Sequence, residues 1–295
     1  MGDMTNPLED FPKIHRWSER VSSVLGLNPN VFTGPGTNTF LIGSGRKRIL
    51  LDTGQNSEGY LQLLEDAVES EGCEIEAIAV THGHIDHVGG IEAIRERFGA
   101  VPVYMWTRAQ GQQAGKGPAD ALHLADGECL EVEGAKLRAL YTPGHAEDHL
   151  CFFLEEEQAI FTGDNVLGEG IGTTIILMEG GDLEAYLDSL QRMLGETPAA
   201  LYPGHGARIQ KASACIREIV EHRLLRDRQI LSGLEVGRAS ISALVERIYT
   251  ETPKFLYPAA AQSVGSHLLK LEREARVVRV EPGADPLETD WQLGS

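Results

Sequence analysis

The feature that most constrains this chain is a set of four short motifs rich in histidine and aspartate, each placed directly after an apolar segment predicted to be a β-strand. Each motif contains glycine or lies beside it. A strand that ends in a tight turn projects its last side chains at the edge of a sheet, so we expect the four motifs to converge there. They are Thr-His-Gly-His-Ile-Asp-His at 81–87, Thr-Pro-Gly-His at 142–145, Phe-Thr-Gly-Asp at 161–164 and Tyr-Pro-Gly-His-Gly at 202–206.

The side chains in these motifs are ligands that zinc prefers, namely neutral imidazole and carboxylate. A catalytic zinc ion is held by about three protein ligands and keeps one position open for water. Turn residues bonded to the backbone would explain one such histidine, but several candidate ligands in four matching contexts predict a metal centre. We assign His82, His84 and His145 to one ion, Asp86, His87 and His205 to a second, and Asp164 to a bridge between the two.

Two aspartates receive further roles in this prediction. Asp86 is the predicted catalytic residue, because a carboxylate at the second ion can orient the attacking hydroxide or carry a proton. Asp52 follows the predicted strand 48–51, and metal-bound histidine usually donates its far N–H to a carboxylate in such a place. A turn-capping role for Asp52 stays open as the alternative.

The balance of charge limits the class of substrate. The chain of 295 residues has 26 Lys and Arg against 44 Asp and Glu, a formal net charge of −18. A surface this acidic repels nucleic-acid phosphates over long range, which argues against a dedicated nucleic-acid binder but not against a local cationic site. Two zinc ions, two carboxylates and a hydroxide leave a local net charge of about +1, which favours an anionic or carbonyl substrate.

Membrane and export signals are not predicted. The sequence contains no run of about 18 apolar residues, as a membrane-spanning helix would need. The opening segment MGDMTNPLED is acidic and polar, without the features of a secretory signal or a transit peptide. The four cysteines lack paired spacing, which predicts reduced thiols. We therefore expect a cytoplasmic protein with no membrane partner, and the mitochondrial matrix stays open.

Strands dominate the first and middle thirds of the chain and are interrupted by helices. The apolar segment 75–80 is a predicted buried strand, whereas the spacing of apolar residues in 58–70 predicts a helix. This order predicts an α/β protein with two mixed sheets and helices packed outside them. A composition break then separates a predicted catalytic domain, residues 1–234, from a winged-helix-like domain, residues 235–295.

With these motifs in place, the chain resembles the metallo-beta-lactamase superfamily, whose signature is HxHxDH followed by later His, Asp and His ligands. Every ligand of that signature is present here. The segments GTNTFLIGSGRKRILLDTG, YTPGHAEDH, FTGDNVLGEG and YPGHG resemble those of the beta-lactamase-like protein 2 family, which is related to glyoxalase II. The resemblance, from about Val21 to Trp291, implies an αββα four-layer sandwich with a dinuclear zinc site and a small C-terminal winged-helix-like domain.

Several branches of the superfamily do not match. Broad-spectrum zinc β-lactamases usually place cysteine at the second ion, where this chain has Asp86. The diiron flavoproteins place glutamate near Ile85-Asp86 and carry a flavin domain. Only 40 residues lie between Asp164 and His205, so the large inserted domain of nucleic-acid-processing members is absent.

The resemblance implies hydrolysis by a metal-bound hydroxide. It leaves two hydrolytic functions open, beside a non-catalytic hypothesis. The beta-lactamase-like protein 2 family implies cleavage of phosphodiesters in single-stranded RNA by an endonuclease. The alternative is hydrolysis of a small-molecule ester or thioester, as in glyoxalase II and in thioesterases acting on acyl-carrier proteins, whose fungal members share segments like GDNVLG at 163–168. A hypothesis of another class is a non-catalytic metal-binding module, which the complete ligand set argues against.

One segment departs from the usual pattern. Residues 171–178 form a long apolar link after the Asp164 motif. Because it follows a predicted metal ligand, this link is predicted to wall an acyl-binding groove. Simple core packing is the open alternative, since short apolar runs are ambiguous.

Overall fold

The computed structural model describes residues 11–107, 117–281 and 283–294. The opening segment MGDMTNPLED, where targeting signals were sought, lies outside the described residues. The chain divides into two compact units. The first comprises residues up to 142 with 148–174 and 192–213, and the second comprises 143–147, 175–191 and the residues from 214 onward. The predicted division into 1–234 and 235–295 stays a prediction.

The first unit contains a seven-stranded sheet whose strands neighbour one another in chain order. They are β1 (Ile14–Arg16), β2 (Val21–Leu25), β3 (Asn38–Ile42), β4 (Lys47–Leu51), β5 (Glu74–Ala79), β6 (Val103–Met105) and β7 (Leu122–His123). Strands β1 to β4 pair antiparallel, and β4 to β7 pair parallel. The parallel strands end at one edge of the sheet, where β4 leads into Asp52 and β5 leads into Thr81.

A second sheet of five strands completes the β-structure of this unit. Its strands are β8 (Cys129–Val132), β9 (Ala135–Tyr141), β10 (Leu150–Leu154), β11 (Ala159–Gly163) and β12 (Ala200–Pro203). The spatial order is β12-β11-β10-β9-β8, with β11 and β12 parallel and the other neighbours antiparallel. Strands β9, β11 and β12 therefore run in one direction, and their ends lead into Thr142, Asp164 and His205.

The two sheets share one hydrophobic core. Phe40 and Leu51 of the first sheet lie in the same buried cluster as Leu137, Phe152 and Phe161 of the second. The rings of Phe40 and Phe161 meet edge to face with centroids 5.0 Å apart, the arrangement that aromatic quadrupoles favour. Burial of each such side chain contributes roughly 1.5–3 kcal/mol, which fixes the sheets face to face.

Helices cover the outer face of the first sheet. They are α1 (Tyr60–Glu71), the single turn α2 (Ile85–Val88) and α3 (Ile91–Phe98). Leu64 of α1 and Ile94 of α3 join a second cluster with Leu50 and Ile78. Leu51 faces the inner core and Leu50 the outer one, because successive side chains of a strand point to opposite faces.

The ends of the two sheets are bonded to each other at the edge that carries the motifs. The amide of Leu150 donates to the carbonyl oxygen of Thr81 at 2.7 Å. The side-chain amide of Asn38 donates to the carbonyl oxygens of Pro203 at 3.0 Å and Gly206 at 2.8 Å. These bonds hold motifs that are distant in sequence against one another.

The second unit holds most of the remaining helices and a two-stranded ribbon. The helices are α4 (Leu183–Gly195), α5 (Ala212–Glu235), α6 (Ile241–Ile248) and α7 (Tyr257–Arg273), with a 3-10 turn at Lys254–Leu256, and the ribbon is β13 (Val277–Arg279) with β14 (Trp291–Leu293). Ile230, Leu244, Leu268 and Trp291 pack in one buried cluster. Helices α6 and α7 and the ribbon form the winged-helix-like part.

Among the described residues, none of the helices combines the length and the apolar character that crossing a membrane requires.

Candidate metal centre

The histidine-rich segment begins where β5 ends. Helix α2 starts after His84, and this single turn carries Asp86 and His87 away from the extended stretch that holds His82 and His84. His82 and His87 are fully buried, while His84 and Asp86 are half-buried. The local fold thus divides the motif into two pairs of possible ligands.

The first group of possible ligands within the first unit comprises His82, His84 and Asp164, whose ligand atoms lie within 4.8 Å of one another. Nε2 of His82 lies 2.9 Å from Nδ1 of His84 and 3.9 Å from Oδ2 of Asp164. His145 belongs to the second unit, where its Nδ1 lies 3.1 Å from the carbonyl oxygen of Ile175. A proton on Nδ1 leaves the lone pair on Nε2, the tautomer needed for binding a metal through Nε2.

The second group comprises Asp86, His87 and His205, again within 4.8 Å of one another. Nε2 of His87 and Nε2 of His205 each lie 3.3 Å from Oδ2 of Asp86. The same nitrogens lie 3.3 Å and 3.2 Å from Oδ1 of Asp164. Two nitrogens and two oxygens therefore converge on one point.

These four atoms fit a tetrahedral ion. Zinc bonds to nitrogen and oxygen measure about 2.0–2.2 Å, which places tetrahedral ligand atoms about 3.3–3.6 Å from each other. The observed separations of 3.2–3.3 Å match this spacing. Among the residues that the structure describes, none gives the buried Nε2 of His87 a hydrogen bond, and a bound cation would satisfy this atom.

Asp164 faces both groups with different oxygens. Its Oδ1 lies beside His87 and His205, and its Oδ2 is the oxygen nearer to His82. The amide of Asp164 donates to Nε2 of His149 at 3.2 Å. The turn before Asp164 needs glycine, because Gly163 has a φ of 47° and a Cβ there would lie 2.6 Å from Nε2 of His149.

The charges of the second group are strongly coupled. Burial by itself raises the pKa of Asp86 and Asp164, but the neighbouring imidazoles of His87 and His205 hold both pKa values well below the usual range. Burial opposes a charge on His205, yet Asp164 and Asp86 raise its pKa to about 9. The pKa of His87 is likewise raised well above its ordinary value against burial, by Asp52, Asp164 and Asp86. The carboxylates thus create a field that stabilises positive charge here.

Asp52 lies behind His87 and bonds three groups. Its Oδ2 lies 2.8 Å from Nδ1 of His87 and accepts from the hydroxyl of Thr81 at 2.9 Å. Its Oδ1 accepts from the amide of Thr81 at 2.8 Å. Asp52 also has a positive φ of 59°, a conformation that is uncommon for residues other than glycine but that Asp adopts more readily than most.

Sequence reasoning missed one residue in contact with this centre. The hydroxyl of Thr37 donates to Oδ2 of Asp86 at 3.2 Å, and the side chain is fully buried. Thr37 also bridges to the backbone of His205 across the sheet edges. Thr37 carried no signal of this role in the sequence, since threonine is common in strands.

The comparisons with known proteins agree with this geometry. A profile of the family described as the Metallo-beta-lactamase superfamily matches residues 32–205, and one described as the Beta-lactamase associated winged helix domain matches residues 240–286. A crystal structure of a beta-lactamase domain protein from Burkholderia ambifaria covers 98% of this chain and 96% of its own, with a TM-score of 0.80 and 17% identity. The predicted fold class, a metallo-beta-lactamase sandwich with a C-terminal winged-helix domain, is confirmed.

Two relatives are similar over most of the chain. An atrochrysone carboxyl ACP thioesterase of Aspergillus chevalieri is 39% identical over 279 residues, which cover 92% of this chain and 86% of the relative. A beta-lactamase-like protein 2 homolog of Caenorhabditis elegans is 37% identical over 269 residues, which cover 90% and 88%. The predicted family resemblance is confirmed. One of these relatives is named a thioesterase and the other a beta-lactamase-like protein 2 homolog.

Proposed function

The chain belongs to the metallo-beta-lactamase superfamily of hydrolases, and from this premise we propose that it hydrolyses thioesters with the help of two zinc ions. The observation that best supports metal-dependent hydrolysis is the convergence of two imidazole nitrogens and two carboxylates. Nε2 of His87 and Nε2 of His205 both lie close to Asp86 and Asp164. Bound zinc would lower the pKa of a water molecule and polarise the carbonyl oxygen of the substrate.

The ligand roles are part of this proposal. One ion would be held by His82, His84 and His145, the second by Asp86, His87 and His205, and Asp164 would bridge the two. A carboxylate with one oxygen toward each group can serve as that bridge. Asp52 would fix the ring of His87 through Nδ1, so that Nε2 keeps its lone pair for the ion.

Asp86 would carry a proton during the reaction. Thioester hydrolysis adds water to the carbonyl carbon, breaks the carbon–sulfur bond and leaves a thiolate that needs a proton. We assign this transfer, from the attacking water to the leaving sulfur, to the carboxylate of Asp86. The hydroxyl of Thr37, bonded to Oδ2, would hold that carboxylate in place.

The choice of a thioester as substrate class rests on the similarity to a named relative and on the net charge of the chain. The relative of highest identity described above is named a thioesterase acting on an acyl-carrier protein. A net charge of −18 opposes binding of a polyanionic RNA strand, whereas a single acyl thioester pays no such electrostatic penalty. An acyl thioester is therefore the substrate that the sequence and the site support best.

Cleavage of single-stranded RNA is the second candidate. It is favoured by the likeness to a beta-lactamase-like protein 2 homolog, because that family resemblance implies endonuclease activity. The same metal centre would then act on a phosphodiester. We place the protein in the cytoplasm or the mitochondrial matrix under either candidate, because its four cysteines are unpaired in the part of the chain that the structure describes.

A substrate panel on one zinc-loaded preparation tests the proposal. It compares acyl thioesters, S-lactoylglutathione among them, with single-stranded RNA, bis-p-nitrophenyl phosphate, a lactone and a β-lactam. We expect acyl thioesters to give a kcat/KM at least about 100-fold above that of the other classes, since a matched polar and apolar site discriminates by at least that factor.

Two controls make the panel decisive. Asp164→Ala, prepared in parallel, should lose the activity, whereas Asp66→Ala on the exposed face of α1 should keep it. RNA cleavage that exceeds thioester hydrolysis and disappears in Asp164→Ala would replace the proposed function by the second candidate. Thioester hydrolysis that survives in Asp164→Ala would contradict the proposed role of Asp164 at the metal centre.

A further inference from the structure

An apolar groove of about 760 Å³ lies in the first unit, on the loop between β2 and β3. Its volume is within the usual range of small-molecule sites. The residues that give it apolar character are Leu25, Leu27, Pro29, Val31, Pro35 and Ile171. Among the lining residues Lys13 carries the charge, so the groove suits a largely apolar group.

The loop of the groove is bonded directly to the proposed metal ligands. Gly36 accepts a hydrogen bond from Nδ1 of His205 at 3.3 Å, and the neighbouring Thr37 donates to Asp86 at 3.2 Å. Pro35 of the groove wall is therefore next in sequence to Gly36 and Thr37, which bond to His205 and Asp86. The wall of the groove and the second ligand group are therefore joined through the continuous segment 35–37.

The opposite wall of the groove also lies against His205. Gly168 donates its amide to the carbonyl oxygen of His205 at 2.8 Å, and the chain continues to Ile171. A Cβ on Gly206 would lie 2.8 Å from Cγ1 of Ile171. Both walls of the groove are therefore anchored on the strand end that carries His205.

The loop is held in shape by its own hydrogen bonds. Asn28 accepts from the amide of Thr37 at 2.8 Å through its side chain and from the hydroxyl of Thr33 at 2.6 Å through its carbonyl oxygen. Leu27 is held at a positive φ of 54°, a costly conformation for a branched side chain. A groove that is formed before binding loses little conformational entropy when a ligand enters.

We propose that this groove binds the acyl part of the substrate, as an aliphatic or aromatic chain attached to the thioester carbonyl. This inference rests on the proposed thioester hydrolysis and adds the position and residues of the acyl site. The apolar lining matches an acyl chain better than the amide-rich arm of a carrier, whose polar groups would be desolvated without partners. Val31 is 56% exposed without a ligand, so an acyl chain would cover apolar surface that now faces water.

The test is a series of N-acetylcysteamine thioesters with acetyl, hexanoyl and decanoyl groups. A fully buried methylene strengthens binding by up to about fourfold, so we expect kcat/KM to rise at least about tenfold from acetyl to hexanoyl. The double variant Val31→Ser with Ile171→Ser should cut the decanoyl-to-acetyl ratio of kcat/KM by at least about fivefold. Val236→Ser, at a residue that is 79% exposed in the second unit, is the matched control.

Binding of a non-hydrolysable thioether, S-decyl-N-acetylcysteamine, is measured by calorimetry on the same proteins. Weaker binding to the double variant than to the control supports the groove. Thioester hydrolysis without a chain-length effect, or with an effect that the double variant retains, would overturn the acyl site and leave the proposed function standing. Groove-dependent thioether binding without any thioester hydrolysis would support the acyl site and overturn the proposed function.

Discussion

Oδ2 of Asp52 lies 2.8 Å from Nδ1 of His87, although 34 residues separate them in the chain. The parallel pairing of β4 with β5 explains this contact, because Leu51 and Ala79 are register partners and the next residues share one sheet edge. Asp52 is bonded to both the amide and the hydroxyl of Thr81. The carboxylate therefore has a fixed orientation toward the imidazole.

Asp52→Asn should weaken zinc binding at the second ligand group. The amide can replace the acceptor for Thr81 but not the negative charge beside His87, and loss of such a supporting carboxylate typically costs about 10–100-fold in metal affinity. Competition with a chromophoric chelator measures the change. Asp66→Asn is the control, and an unchanged affinity in Asp52→Asn would show that Asp52 serves only the turn.

Metal content should separate the bridging ligand from a terminal one. Under the proposed ligation, the unaltered protein holds about two zinc ions per chain, His205→Ala about one and Asp164→Ala fewer than one. Turnover should fall by at least about a thousandfold in Asp164→Ala. Elemental analysis after dialysis gives the stoichiometry, and equal zinc content in the two variants would contradict a bridging Asp164.

The strand-end motifs could be predicted because each combines an apolar run with a glycine turn and a metal-binding side chain. The helix predicted over 58–70 is observed as α1, Tyr60–Glu71, because its apolar residues recur at helical spacing. Strand β2 was not predicted, since Val21–Leu25 is buried at every position and contains two serines, which removes the polar alternation that marks a half-buried strand. The pattern of hydrophobicity therefore located the central strands β4 and β5, which precede Asp52 and the first motif, better than β2 near the edge of the sheet.

The contacts that depend on pairing could not be predicted. Asn28 and Thr37 give no local sign that they support Asp86, because their role arises when the loop before β3 meets the end of β12. The apolar link 171–178 contains positions with two different roles, which its sequence does not separate. Ile176 is buried, as core packing would have it, whereas Ile171 lines the groove, and the sequence did not distinguish the two positions.

Thr37→Val should lower turnover without removing zinc. Valine keeps the shape of the buried side chain but not the hydroxyl that donates to Asp86. A hydrogen bond to a charged group contributes about 1.5–3 kcal/mol, so we expect kcat to fall by about tenfold or more. Thr37→Ser keeps the donor and should retain most of the activity. Equal kcat values in the two variants would remove Thr37 from the mechanism.

The second unit contains a buried ionic cluster around Asp227 that should set its stability. Asp227 accepts from Nδ1 of His267 at 2.6 Å and from Nζ of Lys270 at 2.9 Å, and its side chain is 5% exposed. Burial raises the pKa of Asp227, but His267 and Lys270 lower it by more, so that the pKa lies below its ordinary value. Burial likewise opposes the charge of Lys270, and its bonds to Glu274 and Asp227 raise its pKa overall.

Asp227→Asn should destabilise the second unit by about 1.5–3 kcal/mol at neutral pH, because it removes one of the two carboxylates bonded to the buried Lys270 while Glu274 remains. A carboxylate with a lowered folded pKa stabilises the protein above its unfolded pKa of about 3.9, and this contribution is lost as the pH falls through the folded value. The raised pKa of Lys270 acts in the opposite direction and matters only above about pH 10. Burial lowers the pKa of His267 below its ordinary value of about 6.5. The stability difference between the two proteins should therefore be constant from about pH 7.5 to 9 and become smaller below about pH 4. Urea unfolding measures the loss of stability, and hydrogen exchange in α7 gives a local readout. Asp188→Asn, at an exposed residue, is the control. A loss of stability that stays constant down to pH 2 would refute its ionic origin.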